Sequence, residues 1–508
     1  MRHIPVIDLF AGPGGLAEGF ASIRDRAGNS CFDIRLSIEK EASAHRTLEL
    51  RAFVRSFGGK PPREYYDYLK GKIDRNSLFL NNKFNYNREH AQNEAWHLEL
   101  SETTHDIVRK RVRQALRGAD DWVLIGGPPC QAYSLVGRSR MRSSDPSLFE
   151  RDKRHFLYRQ YLRIIADHRP PVFVMENVKG MLSSTIGGKL IFEKILSDLK
   201  NPDGKKLRYR VVPFSAPDTL FGHAPEDYII RAELFGIPQA RHRVILCGIR
   251  EDVDASPGML APGAPLSVMH ALHGLPALRS RLSGGLDSTA AWHQAVAEGA
   301  QLVQRKGGKS LRDVASRMVK AATRAVSLSD IGGRFIPINT ATETPPPIAK
   351  NLHDWYRDNR LHGIPNHESR SHMKSDLWRY LFAASYADVR NMPAKLRDFP
   401  EFLLPDHGNA HAAAAGGPFE DRFRVQLRKR PSTTVVSHIA KDGHYYIHPD
   451  PAQCRSLSVR EAARLQTFPD NYFFEGNRTE QYTQVGNAVP PLLANQIARL
   501  VYGCLRSV

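Results

Sequence analysis

The alternation of β-rich segments with amphipathic stretches constrains the fold more than any other feature of this sequence. Apolar runs rich in Val and Ile occur at residues 4–9, 31–38, 122–125, 172–175 and 244–248. Between them, residues 156–166 and 188–199 repeat apolar side chains at helical spacing. Short strands that alternate with helices are typical of a parallel sheet covered by helices on both faces. The sequence therefore predicts an α/β fold with a doubly wound, mostly parallel sheet.

The charge balance indicates a polyanionic partner. Across 508 residues, 72 Lys and Arg oppose 53 Asp and Glu, so the formal net charge is +19. Such an excess favours nucleic acid first and an anionic membrane surface second. No apolar run approaches the ~20 residues that a membrane span needs, and we expect no signal peptide. The five Cys lack metal-binding spacing, which is typical of a reducing compartment.

Changes in composition divide the chain into three parts. Residues 1–254 carry the strand–helix alternation, interrupted at 51–94 by a polar insertion rich in Tyr, Asn and Lys. Residues 255–424 form a separate domain, and within them the segment 301–327 predicts a basic amphipathic helix. Residues 425–508 end in an apolar helix that we expect to pack on the sheet.

A glycine-rich turn follows the first predicted strand. Gly12, Gly14 and Ala17 satisfy the spacing of a dinucleotide-binding turn, and Glu39 ends the second strand where it can hold a ribose hydroxyl. Glycines let the backbone approach a nucleoside closely. The turn alone does not separate NAD from S-adenosylmethionine, and a purely structural tight turn is the alternative.

A cysteine follows the third predicted strand. Cys130 lies just past the strand's carboxyl end, where open α/β sheets bind ligands. The polar segment 131–155 carries five arginines and predicts a basic flap, whose charge would favour the thiolate. A buried, inert thiol is the alternative for an isolated Cys.

A carboxylate and two arginines follow on the next two strands. Glu176 ends the fourth strand, where burial would raise its pKa and let it donate a hydrogen bond. Gln239, Arg241 and Arg243 alternate, so they share one face of an extended segment. Two arginines on one face suit a carbonyl oxygen, carboxylate or phosphate. The alternatives are a solvated acid and a salt-bridged strand edge.

Six motifs, in this order, resemble the DNA (cytosine-5) methyltransferase family of the prokaryotic restriction–modification type. They are Asp-Leu-Phe-Ala-Gly-x-Gly-Gly at 8–15, Gly-Pro-Pro-Cys-Gln-x-x-Ser at 127–134, Glu-Asn-Val at 176–178, Gln-x-Arg-x-Arg at 239–243, and the closing segments 460–470 and 484–491. The resemblance implies an S-adenosylmethionine-dependent, Rossmann-like catalytic domain at 1–254 and a smaller target-recognition domain at 255–424. It also implies closing motifs at 425–508 that return to the catalytic domain.

The resemblance also implies the site residues. The catalytic residues would be Cys130, Glu176, Arg241 and Arg243. The cofactor-binding residues would be Phe10, Ala11, Gly12, Gly15, Leu16, Glu39, Glu99, Pro129, Asn487 and Val489. Glu99 is our choice for the acidic residue that the family places after its third strand to contact adenine. The residues that contact DNA would be Gln131, Ser134 and Arg138, on the flap.

The implied reaction is transfer of a methyl group from S-adenosylmethionine to carbon 5 of a flipped-out cytosine in a specific double-stranded DNA sequence. It would pass through a covalent Cys130 adduct, in the modification enzyme of a restriction–modification system. We expect a cytoplasmic, nucleoid-associated monomer that works independently of any cognate restriction endonuclease. We expect no metal site, since His362, His367 and His372 lack further ligands. The alternatives are the same chemistry on RNA, an NAD-dependent oxidoreductase and a non-catalytic DNA-binding regulator.

Overall fold

A central mixed sheet organises the first half of the chain. The computed structural model describes residues 3–129, 157–186, 189–218, 222–338, 344–406, 408–417 and 420–506. Its strands are β1 Ile4–Leu9, β2 Phe32–Glu39, β3 Ala95–His97, β4 Val123–Gly126, β5 Val172–Val178, β6 Thr185–Ile186, β7 Lys189–Leu190, β8 Tyr209–Val212, β9 Ile229–Arg231, β10 Gln239–Ala240, β11 His242–Arg250, β12 Arg281–Leu282, β13 Gly332–Pro337, β14 Gly363–Glu368, β15 Ser371–His372 and β16 Ser432–Thr433.

The order of the main sheet is β3-β2-β1-β4-β5-β11-β8, and β9 also pairs with β11. Strands β3, β2, β1, β4 and β5 run parallel, whereas β11 is antiparallel to β5, β8 and β9. This confirms the predicted doubly wound, mostly parallel α/β fold. All five predicted strands are present. The sequence did not reveal β3, β8 and β9, because three or four residues at a sheet edge carry too little periodicity.

The described helices, numbered along the chain, cover both faces of the sheet and build the rest of the molecule. They are α1 Gly15–Ala21, α2 Ala42–Arg55, α3 Arg63–Leu69, α4 Arg75–Phe79, α5 Asn85–Glu94, α6 His105–Leu116, α7 Leu157–His168, α8 Ile191–Lys200, α9 Val268–Leu272, α10 Thr289–Lys306, α11 Arg312–Ala325, α12 Lys350–Tyr356, α13 Lys374–Arg390, α14 Gly408–Ala414, α15 Val459–Leu465, α16 Arg478–Asn487 and α17 Pro491–Arg506. None of these described helices is long and apolar enough to cross a membrane.

The final helix packs beside the first. Helices α1 and α17 share one apolar core against the sheet, and α6, α7 and α8 share the core on the opposite face. A side chain added at Gly19 would place its Cβ 2.3 Å from the Cβ of Ala494. The predicted apolar ending therefore covers the sheet next to the glycine turn.

The segment 51–94 begins inside helix α2, which continues to Arg55. Arg51 is part of that helix and its guanidinium pairs with Glu18 at 2.5 Å. Helices α3 and α4 then bury aromatic side chains in a small core that they share with α2, with Ala91 of α5, and with Leu361 and Phe473. The guanidinium of Arg334, on β13, lies over the rings of Tyr68 and Phe473, at 4.7 and 4.5 Å from their centroids. The insertion thus docks on β13 and on the closing segment.

The region 255–424 contains a helical core. Helices α10, α11 and α13 bury one apolar cluster, which also includes Val425, Ile447 and Cys454. Conversely, α9 and α12 pack with the closing helices α15 and α16. The predicted boundary at 424 therefore falls inside a continuous core. The basic helix predicted within 301–327 is α11, preceded by the end of α10, and its residues Val314 and Met318 are buried.

Candidate active site

A buried ion pair lies at the carboxyl end of β5. The antiparallel register of β5 and β11 brings Glu176 opposite Ile245 and Arg243 opposite Val178. Nε of Arg243 lies 2.9 Å from Oε1 of Glu176, and the two side chains are only 14% and 13% exposed. Burial lowers the pKa of Arg243, and Glu176 opposes that shift. The sequence prediction considered only the burial of Glu176 and did not foresee this ion pair.

The loop after β4 reaches this pair. A Cβ on Gly127 would lie 3.1 Å from Oε2 of Glu176, and Nδ2 of Asn177 donates to the carbonyl oxygen of Pro128 at 3.2 Å. Pro129 is half-buried. Cys130, Gln131, Ser134 and Arg138 lie outside the described residues, as does the rest of the predicted flap 131–155. Cys130 directly follows the loop that contacts Glu176.

Gln239 and Arg241 face the closing segments rather than Glu176. Gln239 is fully buried, donates to Leu465 O and Gln466 Oε1 at 3.1 Å each, and accepts from Val435 N at 2.7 Å. Arg241 donates to Val435 O at 2.8 Å and to Gly486 O at 3.4 Å. Burial lowers its pKa well below the ordinary value, and Arg243 adds to this.

A bend in the chain separates the two arginines. The N–H of Arg241 donates to Gln239 O at 2.9 Å between β10 and β11, so the segment is not one continuous strand. The shared face predicted from alternation required a continuous strand. Among the described residues, Arg243 pairs with Glu176, and Arg241 instead connects Val435, two residues after β16, to the end of α16.

The glycine turn is closed by Glu39. Phe10, Gly12 and Gly14 have φ angles of 56°, 57° and 95°, and Ala11 N donates to Ile38 O at 3.1 Å. One oxygen of Glu39 accepts from Gly12 N and the other from Glu41 N, each at 2.7 Å. Burial raises the pKa of Glu39, although both N–H donors oppose it. Nothing described lies within 4 Å of a Cβ built on Gly12, so the turn is open beside this carboxylate.

The last motif meets the first at Gly15. A Cβ on Gly15 would lie 2.2 Å from Val489 O, so only glycine allows this approach. Val489 and Leu16 are 7% and 6% exposed. Asn487, the last residue of α16, is exposed beside this contact. The structure therefore brings the predicted residues from both ends of the chain to one place.

Glu99 does not share this enclosed environment. It follows β3, its side chain is 64% exposed, and its carboxylate lies 3.7 Å from Nζ of Lys40. Lys40 is next to Glu39, so Glu99 stays near the predicted adenosine site, but no buried contact holds it there.

The sequence analysis missed a buried acid under the turn. Asp8 is fully buried in β1, and neither of its carboxyl oxygens has a hydrogen-bond partner among the described residues. Burial raises its pKa well above the ordinary value, against the attraction of Arg55. Its register partner in β2, Ser37, is likewise buried without a partner for its hydroxyl. In the sequence, the feature that could have indicated this buried acid is the position of Asp8 inside the otherwise apolar strand β1.

The histidines considered as metal ligands have other roles. His367 is buried, with Nδ1 2.7 Å from Oγ of Ser458 and Nε2 2.9 Å from Pro276 O. His372 is buried beside the ring of Tyr380, with centroids 4.9 Å apart. Over the described part of the chain, no three His, Cys, Asp or Glu side chains form a group that could hold a metal ion.

A family model and individual proteins are similar to this chain over most of its length. The model of the family described as C-5 cytosine-specific DNA methylase matches residues 89–270 and 351–502. The type II methyltransferase M.Bpa9945I of Bacillus paralicheniformis is 33% identical, over 98% of each chain. The DNA (cytosine-5-)-methyltransferase M.ApeKI of Aeropyrum pernix is 27% identical, over 77% of this chain and 83% of that protein.

The fold is similar to a solved structure. A DNA modification methyltransferase encoded within an E. coli prophage superposes with a TM-score of 0.54 at 18% identity, over 99% of each chain. At this identity the likeness concerns the fold, and it agrees with the sheet described above.

Proposed function

This chain belongs to the C-5 cytosine-specific DNA methylase family and is a DNA (cytosine-5-)-methyltransferase, and we propose that it methylates cytosine within one specific double-stranded sequence, with S-adenosylmethionine as methyl donor. The observation that carries this proposal is the Glu176–Arg243 ion pair beside the loop that leads to Cys130. Since M.Bpa9945I is a type II methyltransferase similar over its full length, we further propose a modification role in a restriction–modification system.

The glycine turn fits the cofactor. The open side of Gly12 next to the buried Glu39 carboxylate suits the ribose of an adenosyl group, because both carboxylate oxygens retain lone pairs for hydroxyl donors. Phe10, Ala11 and Leu16 would line the adenosine side, and Asn487 and Val489 the closing side. When bound, the cofactor supplies a methyl group on a sulfonium centre. Glu99 remains a proposal for the adenine contact, and Pro129 for the side nearest Cys130.

The proposed chemistry is covalent catalysis, because a cytosine carbon is a weak nucleophile. The target base leaves the helix stack, at a cost of a few kcal/mol. The Cys130 thiolate adds to carbon 6 of the ring. Glu176, carrying a proton taken up on base binding, donates it toward ring nitrogen 3 and accepts from the exocyclic amine. Carbon 5 then takes the methyl group, and the donor sulfur leaves as a neutral thioether. Carbon 5 loses its proton to a base, and the bond between carbon 6 and Cys130 breaks, which returns the thiolate.

The two arginines take different roles in this proposal. Arg243 holds Glu176 at 2.9 Å and retains further N–H donors for the carbonyl oxygen of the base. Arg241 donates its hydrogen bonds to the carbonyl oxygens of Val435 and Gly486. We therefore propose that Arg241 is a positioning residue. This revises the sequence analysis, in which the resemblance implied that Arg241 is catalytic.

DNA would enter beside the turn Ser437–Ala440. This turn packs on Gly486, where an added Cβ would lie 2.3 Å from Ser437 N, and Arg370 donates to Ile439 O beneath it. Val436, His438 and Lys441 are exposed on it. We call this surface the lip. Gln131, Ser134 and Arg138 would contact DNA from the opposite side.

The test is bisulfite sequencing of DNA from cells that make the protein. We expect 5-methylcytosine at one short sequence, and none in matched cells that make Cys130→Ala. Methylation of RNA only, or tight NAD binding without S-adenosylmethionine binding, would contradict the proposal. Wild-type methylation by Cys130→Ala would remove the covalent step. Sedimentation of the free protein checks the expected monomer.

A further inference from the structure

Helices α10 and α11 form a hairpin that packs against α13. They pack together in one apolar core, and Nε2 of His293, near the start of α10, lies 3.0 Å from Leu328 O, just after α11. The helices therefore run antiparallel, and the turn between them lies at the far end. Helix α10 has 18 residues, so this turn lies about 27 Å from its start.

The base of the hairpin is attached to the lip. Strand β12, just before α10, pairs with β15, and Arg281 N donates to Arg370 O at 3.1 Å. The guanidinium of the same Arg370 donates to Ile439 O on the lip. Arg370 thus joins the segment before the hairpin to the lip.

The hairpin and its neighbour α13 have unpaired positive charge but no unpaired carboxylate. In residues 289–325 and 374–390, all of which are described, every carboxylate has an arginine or lysine partner: Glu298 with Lys374, Asp313 with Arg390, Asp376 with Arg379, and Asp388 with Arg317. In the same residues, the cations that have no carboxylate of the described part of the chain within 4 Å are Arg305, Lys306, Lys309, Arg312 and Lys320. Four of the five surround the turn and are exposed. We name Arg305, Lys306, Lys309 and Arg312 the cationic tip.

Helix stability does not explain this placement. Cations at a helix C-terminus are favourable, which would account for Arg305 and Lys306 at the end of α10. Arg312, however, is the first residue of α11, and Lys309 precedes it by one turn. Positive charge at a helix N-terminus is unfavourable. Two of the four cations therefore oppose the folding of the hairpin, which indicates a ligand with negative charge.

We propose that the cationic tip binds backbone phosphates of duplex DNA outside the recognition sequence, at the end of α10 that lies about 27 Å from the start of that helix. The inference rests on the proposed function, because that function makes DNA the polyanion held at the lip. If α10 runs along the duplex, its length corresponds to about eight base pairs at about 3.4 Å each. Contacts to phosphates position the duplex and carry no sequence information.

The test compares salt dependence in two variants with the same charge loss. The tip variant is Arg305→Gln, Lys306→Gln, Lys309→Gln and Arg312→Gln. The control variant is Arg26→Gln, Lys60→Gln, Lys205→Gln and Lys206→Gln, four exposed cations outside the hairpin. Each binds a random-sequence duplex of about 40 base pairs at several salt concentrations, because each phosphate contact adds about 0.9 to the slope of log affinity against log salt.

We expect the tip variant to lose about two to four from the slope and at least about tenfold in affinity near 0.1 M salt. The control variant should keep the wild-type slope. Equal slopes for all three proteins, or equal losses in both variants, would overturn the proposal. The random duplex needs no methylation, so a failed tip is distinguishable from a failed methyltransferase. Once the methylated sequence is known, shortening one flank to about five base pairs should remove the tip's contribution to binding.

Discussion

Gly15 shows at the residue scale how the two ends of the chain meet. We predict that Gly15→Ala lowers cofactor affinity at least tenfold and destabilises the fold by about 1–3 kcal/mol, because the new Cβ would lie 2.2 Å from a backbone oxygen that cannot move alone. Calorimetry of S-adenosylmethionine binding and thermal unfolding measure the two effects. The control is Gly503→Ala in α17, where a Cβ meets nothing within 4 Å. Wild-type affinity in Gly15→Ala would contradict this contact.

Glu176 is the second prediction at this scale. Glu176→Gln keeps the size of the side chain but removes the carboxylate that holds Arg243 and carries the proton in our proposal. We expect the chemical step to slow by at least ~10²-fold, while DNA binding stays within about tenfold because the lip is unchanged. Single-turnover methylation and a DNA-binding assay separate the two.

Glu193→Gln, on the exposed face of α8, is the matched control for that experiment. It should behave as wild type. An unchanged single-turnover rate in Glu176→Gln would assign Glu176 to structure only.

At the scale of elements, Arg241, between β10 and β11, joins the segment after β16 to α16. We predict that Arg241→Lys lowers turnover at least tenfold, because one ammonium on a flexible stem cannot replace a planar fork that donates to Val435 O and Gly486 O. Since Gly486 lies just before Asn487 and Val489, cofactor affinity should fall as well. Calorimetry and steady-state kinetics measure both effects. The control is Arg231→Lys, exposed on β9, which should change neither quantity. A wild-type KM and kcat in Arg241→Lys would contradict this positioning role of Arg241.

At the scale of the whole molecule, buried histidines join the parts of the chain. His367, in β14, contacts Ser458 before α15 and the carbonyl of Pro276. Burial lowers its pKa to about 4, and burial also lowers the pKa of His448 to about 4. Both stay neutral in the folded protein, whereas an unfolded histidine takes up a proton near pH 6.5.

The sign of the pH dependence follows from these shifts. Below about pH 6.5 the unfolded state binds more protons than the folded state, so stability is lost progressively from pH 6.5 towards pH 4. We expect the unfolding midpoint to fall across this window. In His367→Gln the midpoint should be lower at pH 7.5 but fall less between pH 7 and pH 5. A variant with the wild-type pH slope would show that His367 does not contribute.

Much of the fold and part of the candidate site could be predicted from the sequence. Strands and helices have local periodicities, so β1, β2, β4, β5 and β11 could be predicted from the sequence. The glycine turn was legible because positive φ angles at Gly12 and Gly14 favour glycine over other residues. The position of Glu39 could be predicted because it ends β2, and the carboxyl end of a strand next to β1 lies beside the glycine turn.

The remainder depended on contacts between residues far apart in the sequence. Alternation placed Arg241 and Arg243 on one face, but a bend after Gln239 directs Arg241 to Gly486. The hydroxyl of Tyr472 donates to Pro13 O across 459 positions, and no local pattern encodes such a pair.

By itself, the sequence therefore determined the class of fold and the family, because each depends on short motifs or a local repeat. Only the tertiary structure decided that Glu176 is ion-paired, that Arg241 is a tie and that unpaired charge gathers at the tip of one hairpin. These depend on which charges meet, and charges meet through strand register and helix packing, which join distant segments and leave no local mark in the sequence.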